Sequence, residues 1–235
     1  AAPAGGGEED GAEGADKRAA VLDGAAQGAD AWLAGARGNL AGDQILVLPY
    51  GDVDVSAAGR WSPNFYRTAR QRAGREVPRL DLSATPAVAA PNGYLDPAAL
   101  VRLPARTTVL VTDRMFGGVA KAGVPTVART AGHQVLVTDE AATTGGPAPG
   151  LPTTPLQMRQ RILSESALRL LGDEGPLLVR LPTDWSIGTP VQSEEFFTGL
   201  EVPWLHLTTV AGIADHKAVP VDAADLRYPC LLYTS

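Results

Sequence analysis

Short runs of aliphatic residues, each followed by a segment with helical periodicity, constrain this chain more than any other feature. Ile45-Leu46-Val47-Leu48, Thr108-Val109-Leu110-Val111, Gln134-Val135-Leu136-Val137 and Leu177-Leu178-Val179-Arg180-Leu181 are too short for helices and too apolar for half-exposed strands. They read as strands buried on both faces, which is the environment of a parallel sheet. Residues 86–90 form a weaker strand because Pro86 and Pro91 flank it, and residues 204–208 are strand-like.

Between the runs, apolar residues recur at three- and four-residue intervals. Over residues 17–37 they are Val21, Leu22, Ala25, Ala29, Trp32, Leu33 and Ala36, with Gly38 and Gly42 beyond the end. A helix-like stretch covers 64–74, and a short helix starts after Asp96 with Pro97 at its favoured first position. Thr154 and Pro155 open the clearest helix, with Leu156, Ile162, Leu163, Ala167, Leu170 and Leu171 largely along one face before Gly172. Another helix is expected around 193–200. Alternation of this kind predicts an α/β fold with right-handed β-α-β crossovers and a mainly parallel sheet. Pattern alone leaves an open sheet and a barrel equally available.

At 235 residues the chain is long enough to bury a sizeable core in one large domain or two small ones. Its net charge of -6 argues against general affinity for nucleic acid or anionic lipid. No apolar run approaches the roughly 20 residues of a membrane span, so no transmembrane segment is expected within it. Residues 1–16 combine Gly, Ala and acids without periodicity and read as a flexible linker or insertion. Residues 17–213 read as the folded domain and 214–229 as a tail or linker. The last six residues, Cys230-Leu231-Leu232-Tyr233-Thr234-Ser235, match an in-frame translation of the transposon end used in sequencing libraries and are expected to be adaptor read-through. The chain's one Cys lies there, leaving the rest without disulfides or Cys-ligated metal.

Each strand is followed at once by polar residues. The first leads into Tyr50, Asp52 and Asp54, the second into Asn92 and Tyr94, and the later ones into Asp113, Asp139 with Glu140, and Asp184 with Trp185. In a parallel sheet or barrel these share the carboxyl-terminal rim, where ligands of such folds bind. Acids, amides and aromatic rings together suit a sugar, whose hydroxyls donate to the acids while its apolar face lies on a ring. Capping of the following helix is the plainer role for any single acid. Asp52 and Asp54 form the densest pair, and Asp139 or Glu140 supplies an opposing carboxylate, so acid–base hydrolysis of a glycoside is a second reading. Glu165, four residues from both Arg161 and Arg169, reads as a surface ion pair.

Other chemistries lack their residues. His133, His206 and His216 are isolated, so neither a metal site nor a metal-dependent deacetylase is expected, and His206 reads as a core or rim histidine. No phosphate loop, dinucleotide fingerprint or nucleophile elbow occurs, and no cofactor is expected.

Four strings, LVLPYGDVD at 46–54, QRILSESAL at 160–168, VRLPTDW at 179–185 and PWLHLTTV at 203–210, resemble an uncharacterised family of large actinobacterial exported proteins. Those proteins carry a membrane anchor and are often encoded beside a lipid II flippase. The resemblance runs from about residue 16 to 213, and an excess of 17 Arg over 3 Lys suits a GC-rich source. It implies an extracytoplasmic β/α barrel similar to glycoside hydrolase and deacetylase barrels, incomplete at its N-terminal side and tethered to the plasma membrane through a segment outside these residues. An envelope glycan or a wall-assembly protein is the implied partner.

Overall fold

A computed structural model describes residues 9–90, 92–117, 123–144, 154–181 and 190–229. Six strands form one mostly parallel sheet in the order β1-β2-β3-β5-β4-β6. β1 (Leu46–Val47), β2 (Thr85–Ala89), β3 (Thr108–Thr112) and β5 (His133–Thr138) run parallel, in the succession that buried aliphatic runs predict.

Alternate residues of these strands supply two separate cores, as the two-residue side-chain period of a strand requires. Val88, Val109, Val111, Val135 and Val137 face α2 (Val55–Trp61), α3 (Pro63–Arg79) and α4 (Pro97–Leu100) and are buried with Leu95, Leu100 and Phe116. On the opposite face Leu110, Val127 and Leu136 pack against Ile213 of α8 (Val210–Ala214). A third, smaller core joins Met158 and Ile162 of α6 (Pro155–Leu171) to Phe196 of α7 (Pro190–Thr198) and to Leu200. The opening of α6 is a capping box. Thr154 Oγ1 accepts from the Gln157 N–H at 3.2 Å, and Gln157 Oε1 accepts from the Thr154 N–H at 2.9 Å.

The structure departs from the sequence expectation in four places. β4 (Val127–Thr130) pairs antiparallel with β5, because Ala131 and Gly132, at φ 49° and 80°, form the two-residue left-handed turn of a tight hairpin. Residues 177–181 and 204–208 make no ladder with any described residue. The former is held by single contacts, such as the Asp139 N–H donating to the Leu178 carbonyl at 2.9 Å. Residues 214–229, read as a tail, contain β6 (Val219–Pro220), which pairs parallel with β4, and Val221 and Leu226 pack on the main core. The first helix, α1, spans Glu9–Asn39 and takes in part of the expected linker. Most of its apolar stripe has no cover among the described residues: Val21, Leu22 and Trp32 are 71%, 69% and 70% exposed, while Leu33 and Ala36 are half-buried. The adaptor-like residues 230–235 lie outside the described residues. Among those described, no helix is long and apolar enough to cross a membrane.

Candidate functional site

The parallel block β1-β2-β3-β5 aligns the carboxyl-terminal ends of four strands, and the polar residues beyond those ends fall into two groups. At the β1 and β2 ends, Asp52, Asp54, Asn92 and Tyr94 line one cavity of about 140 Å³, together with Pro49 and Tyr228. Asp52 sits in a left-handed conformation at φ 51°, which a short polar side chain tolerates, and it is exposed. Asp54 is the N-cap of α2, where its carboxylate accepts from the Ala57 N–H at 3.0 Å. Asp96, on the far side of Tyr94, caps α4 in the same way through the Ala98 N–H and lies 3.5 Å from Arg60.

Tyr50 does not join this cavity. Its ring takes the Arg72 guanidinium of α3 at 3.9 Å from the centroid, a cation–π contact. Tyr228 takes the aromatic place instead. It arrives through the segment after β6, which is fastened where the Arg227 N–H donates to the Met115 carbonyl at 2.7 Å. Nothing in the local pattern around Tyr228 points to that position, since it depends on β6 pairing with a strand about ninety residues earlier.

The second group stands at the ends of β3 and β5. Asp139 caps α5 (Glu140–Thr144) by accepting from the Ala142 N–H at 2.7 Å, and its other oxygen lies 3.2 Å from Arg169 Nη2. Glu140 pairs with Arg114 at 3.3 Å. Asp113 stands near both acids with no ion pair among the described residues, where its buried Oδ1 also has no hydrogen-bond partner. Burial is the main cause that pushes its pKa above the ordinary aspartate value. The charges of Asp139 and Glu140 push the same way, and backbone N–H groups of Glu140 and Arg114 oppose them. Arg180 reaches across from the extended 177–181 segment and donates to the Ala90 carbonyl at 3.1 Å, at the β2 end. Asp184 and Trp185 lie outside the described residues.

The raised Asp113 has a consequence for stability. The folded state holds the proton more tightly than the unfolded chain, so this group favours folding most below the ordinary aspartate pKa. That contribution disappears as pH rises through the raised folded value. At neutral pH the ionised group is therefore a burden that Asp113→Asn removes. Thermal melts from pH 4 to 8 should show the variant melting higher at pH 7, with its advantage shrinking as pH falls toward about 4. An advantage that does not depend on pH would contradict this.

The three histidines do not converge. His133 is buried in β5, while His206 and His216 are exposed, and His206 stands in no strand. Among the described residues, no group of three or more His, Cys, Asp or Glu side chains is placed to hold a metal ion. Glu165 pairs with Arg161 at 3.3 Å, one turn away on α6, leaving Arg169 to Asp139. Comparison with family models, curated proteins and solved structures found no match for this chain.

Proposed function

We propose that the carboxyl-terminal edge of the sheet is a carbohydrate-binding face, and that the chain is a non-catalytic module of an exported cell-envelope protein. The observation that supports this most is the convergence of Asp52, Asp54, Asn92, Tyr94 and Tyr228 on one cavity at the β1 and β2 ends. Carboxylate and amide oxygens accept sugar hydroxyls, and the two phenol rings offer flat apolar surface with a polar tip. Capping by Asp54 and Asp139, together with the ion pairs of Asp139 and Glu140, favours binding over hydrolysis, because these acids are already engaged. A β/α barrel, extracytoplasmic placement, a membrane tether and a wall-assembly partner belong to the same proposal. Their support is the resemblance of the four strings, with the parallel strands consistent with a barrel.

Purified protein should co-sediment with insoluble peptidoglycan or arabinogalactan. Asn92→Ala and Tyr228→Ala should each weaken retention about tenfold, the size of one lost hydrogen bond or ring contact. Equal retention of both folded variants, or none by the parent chain, would remove the proposal. A hydrolytic reading is favoured by one observation: burial raises the Asp113 carboxyl above the ordinary aspartate range, the direction a general acid needs, beside the Asp139 carboxyl. In that case Asp113→Asn, rather than Asp52→Asn, would abolish glycan turnover.

A further inference from the structure

A second cavity, of about 350 Å³, lies where α3 crosses β1 and the early part of β2. It shares Leu48 and Pro49 with the strand-end cavity but none of that cavity's polar groups. Its polar lining comes from Tyr66, Arg70, Gln71 and Arg75 of α3, and from Thr107 just before β3.

Five buried side-chain polar atoms lack a hydrogen-bond partner among the described residues, and three of them belong to residues that line this cavity: Tyr66 Oη, Arg70 Nε and Thr107 Oγ1. Buried polar groups are ordinarily paired, and each one left unpaired costs free energy, so three on one cavity call for an occupant. Tyr66 and Thr107 are each only 7% exposed. All three atoms can donate. Burial raises the Tyr66 hydroxyl above its ordinary pKa, with Arg70 opposing, so the phenol keeps its proton. No carboxylate among the described residues lines the cavity, although the chain as a whole is acidic. The remaining wall, Val47, Leu48, Pro49 and Ala87, is apolar.

Three unpartnered donors on residues of one cavity wall, one of them a guanidinium, suit an oxyanion, and the apolar wall suits a hydrocarbon body. We propose that this cavity binds a small organic carboxylate, its oxygens taking the Tyr66 and Thr107 hydroxyls and the Arg70 Nε–H. The site is separate from the strand-end face and does not depend on the glycan reading.

Calorimetric titration with benzoate tests it, with benzamide as the uncharged isostere and inorganic phosphate as an anion without a hydrocarbon body. Benzoate should bind, while benzamide and phosphate should bind at least about tenfold more weakly. Tyr66→Phe and Thr107→Val should each weaken benzoate about tenfold. Both variants should melt no lower than the parent, because each removes a buried hydroxyl that has no partner. The proposal is overturned if benzoate does not bind, if phosphate or benzamide binds as well, or if the Tyr66→Phe/Thr107→Val double variant binds benzoate unchanged.

Discussion

Gly93→Ala is expected to lose about 3 kcal/mol or more of stability, from two costs that act together. Gly93 is buried at φ +76°, a conformation that costs an L side chain roughly 1–2 kcal/mol. A Cβ there would also stand 2.8 Å from Thr112 Cβ and closer still to that residue's γ atoms, so β3 must shift. The glycine is tied at both ends. Its N–H donates to the Ala90 carbonyl at 2.9 Å, and its carbonyl accepts from the Thr112 N–H at 2.8 Å. It therefore sets the distance between β2 and β3 while holding Asn92 and Tyr94 toward the strand-end cavity. Gly42→Ala is the control, because Gly42 has φ +94° with open space where a Cβ would go, and should cost only about 1–2 kcal/mol. Urea denaturation of both variants measures the difference. Thr112→Ala should restore part of the loss in the Gly93→Ala background. Equal losses at Gly93 and Gly42 would show that packing against Thr112 contributes nothing.

The strands that the sequence revealed most plainly are those whose residues are buried on both faces. Val109, Leu110 and Val111 all avoid water, although alternate residues enter different cores, so no period-two polarity masks the run. β4 lacked that signal. Arg129 interrupts it on the exposed side, and its turn uses Ala131 where Asn or Asp would have announced a hairpin. Residues 204–208 show the opposite failure. Their aliphatic and aromatic content suggests a strand, yet Trp204 and Leu207 are exposed, and no described residue pairs with their backbone in a ladder. In α1 periodicity identified the helix but carried no information on whether another element covers its stripe.

At the strand ends, the legible residues were those placed directly after a strand. Asp52, Asp54, Asn92 and Tyr94 share a cavity because β1 and β2 are parallel neighbours, a relation that the alternation of elements already implied. Tyr50 comes after the same strand but was lost to Arg72, since a guanidinium 22 residues later competes for its ring in a way no local pattern records. Tyr66, Arg70 and Thr107 were invisible for a similar reason. The first two share a face of α3, and Thr107 joins them only once β3 is seated two strands away from β1.

Replacing Arg169 with Met should be nearly as damaging as the glycine change, costing about 3 kcal/mol, because it strands a buried carboxylate. The Asp139 and Arg169 side chains are 11% and 17% exposed, so solvent does little to replace the lost partner. Besides Asp139, the guanidinium donates to Thr126 Oγ1 at 3.1 Å and to the Pro176 carbonyl at 3.3 Å, and the Thr126 hydroxyl donates to the same carbonyl. One side chain on α6 thus joins the end of β5, the residue before β4 and the chain leaving the helix. Arg169→Lys keeps the charge but not the planar fork, and should fall between the parent and Arg169→Met. Asp139→Asn in the Arg169→Met background should recover stability, since neither partner then remains charged. A double-mutant cycle is expected to return a coupling of roughly 1–3 kcal/mol. Hydrogen exchange would separate this local latch from a global effect. Arg169→Met should expose α6 amides first, because their core of Met158, Ile162, Phe196 and Leu200 is distinct from the main one, while β3 and β5 amides stay protected. Uniform loss of protection across the sheet would mean that α6 and the strands open as one unit, and that Arg169 belongs to the main core's cooperativity instead.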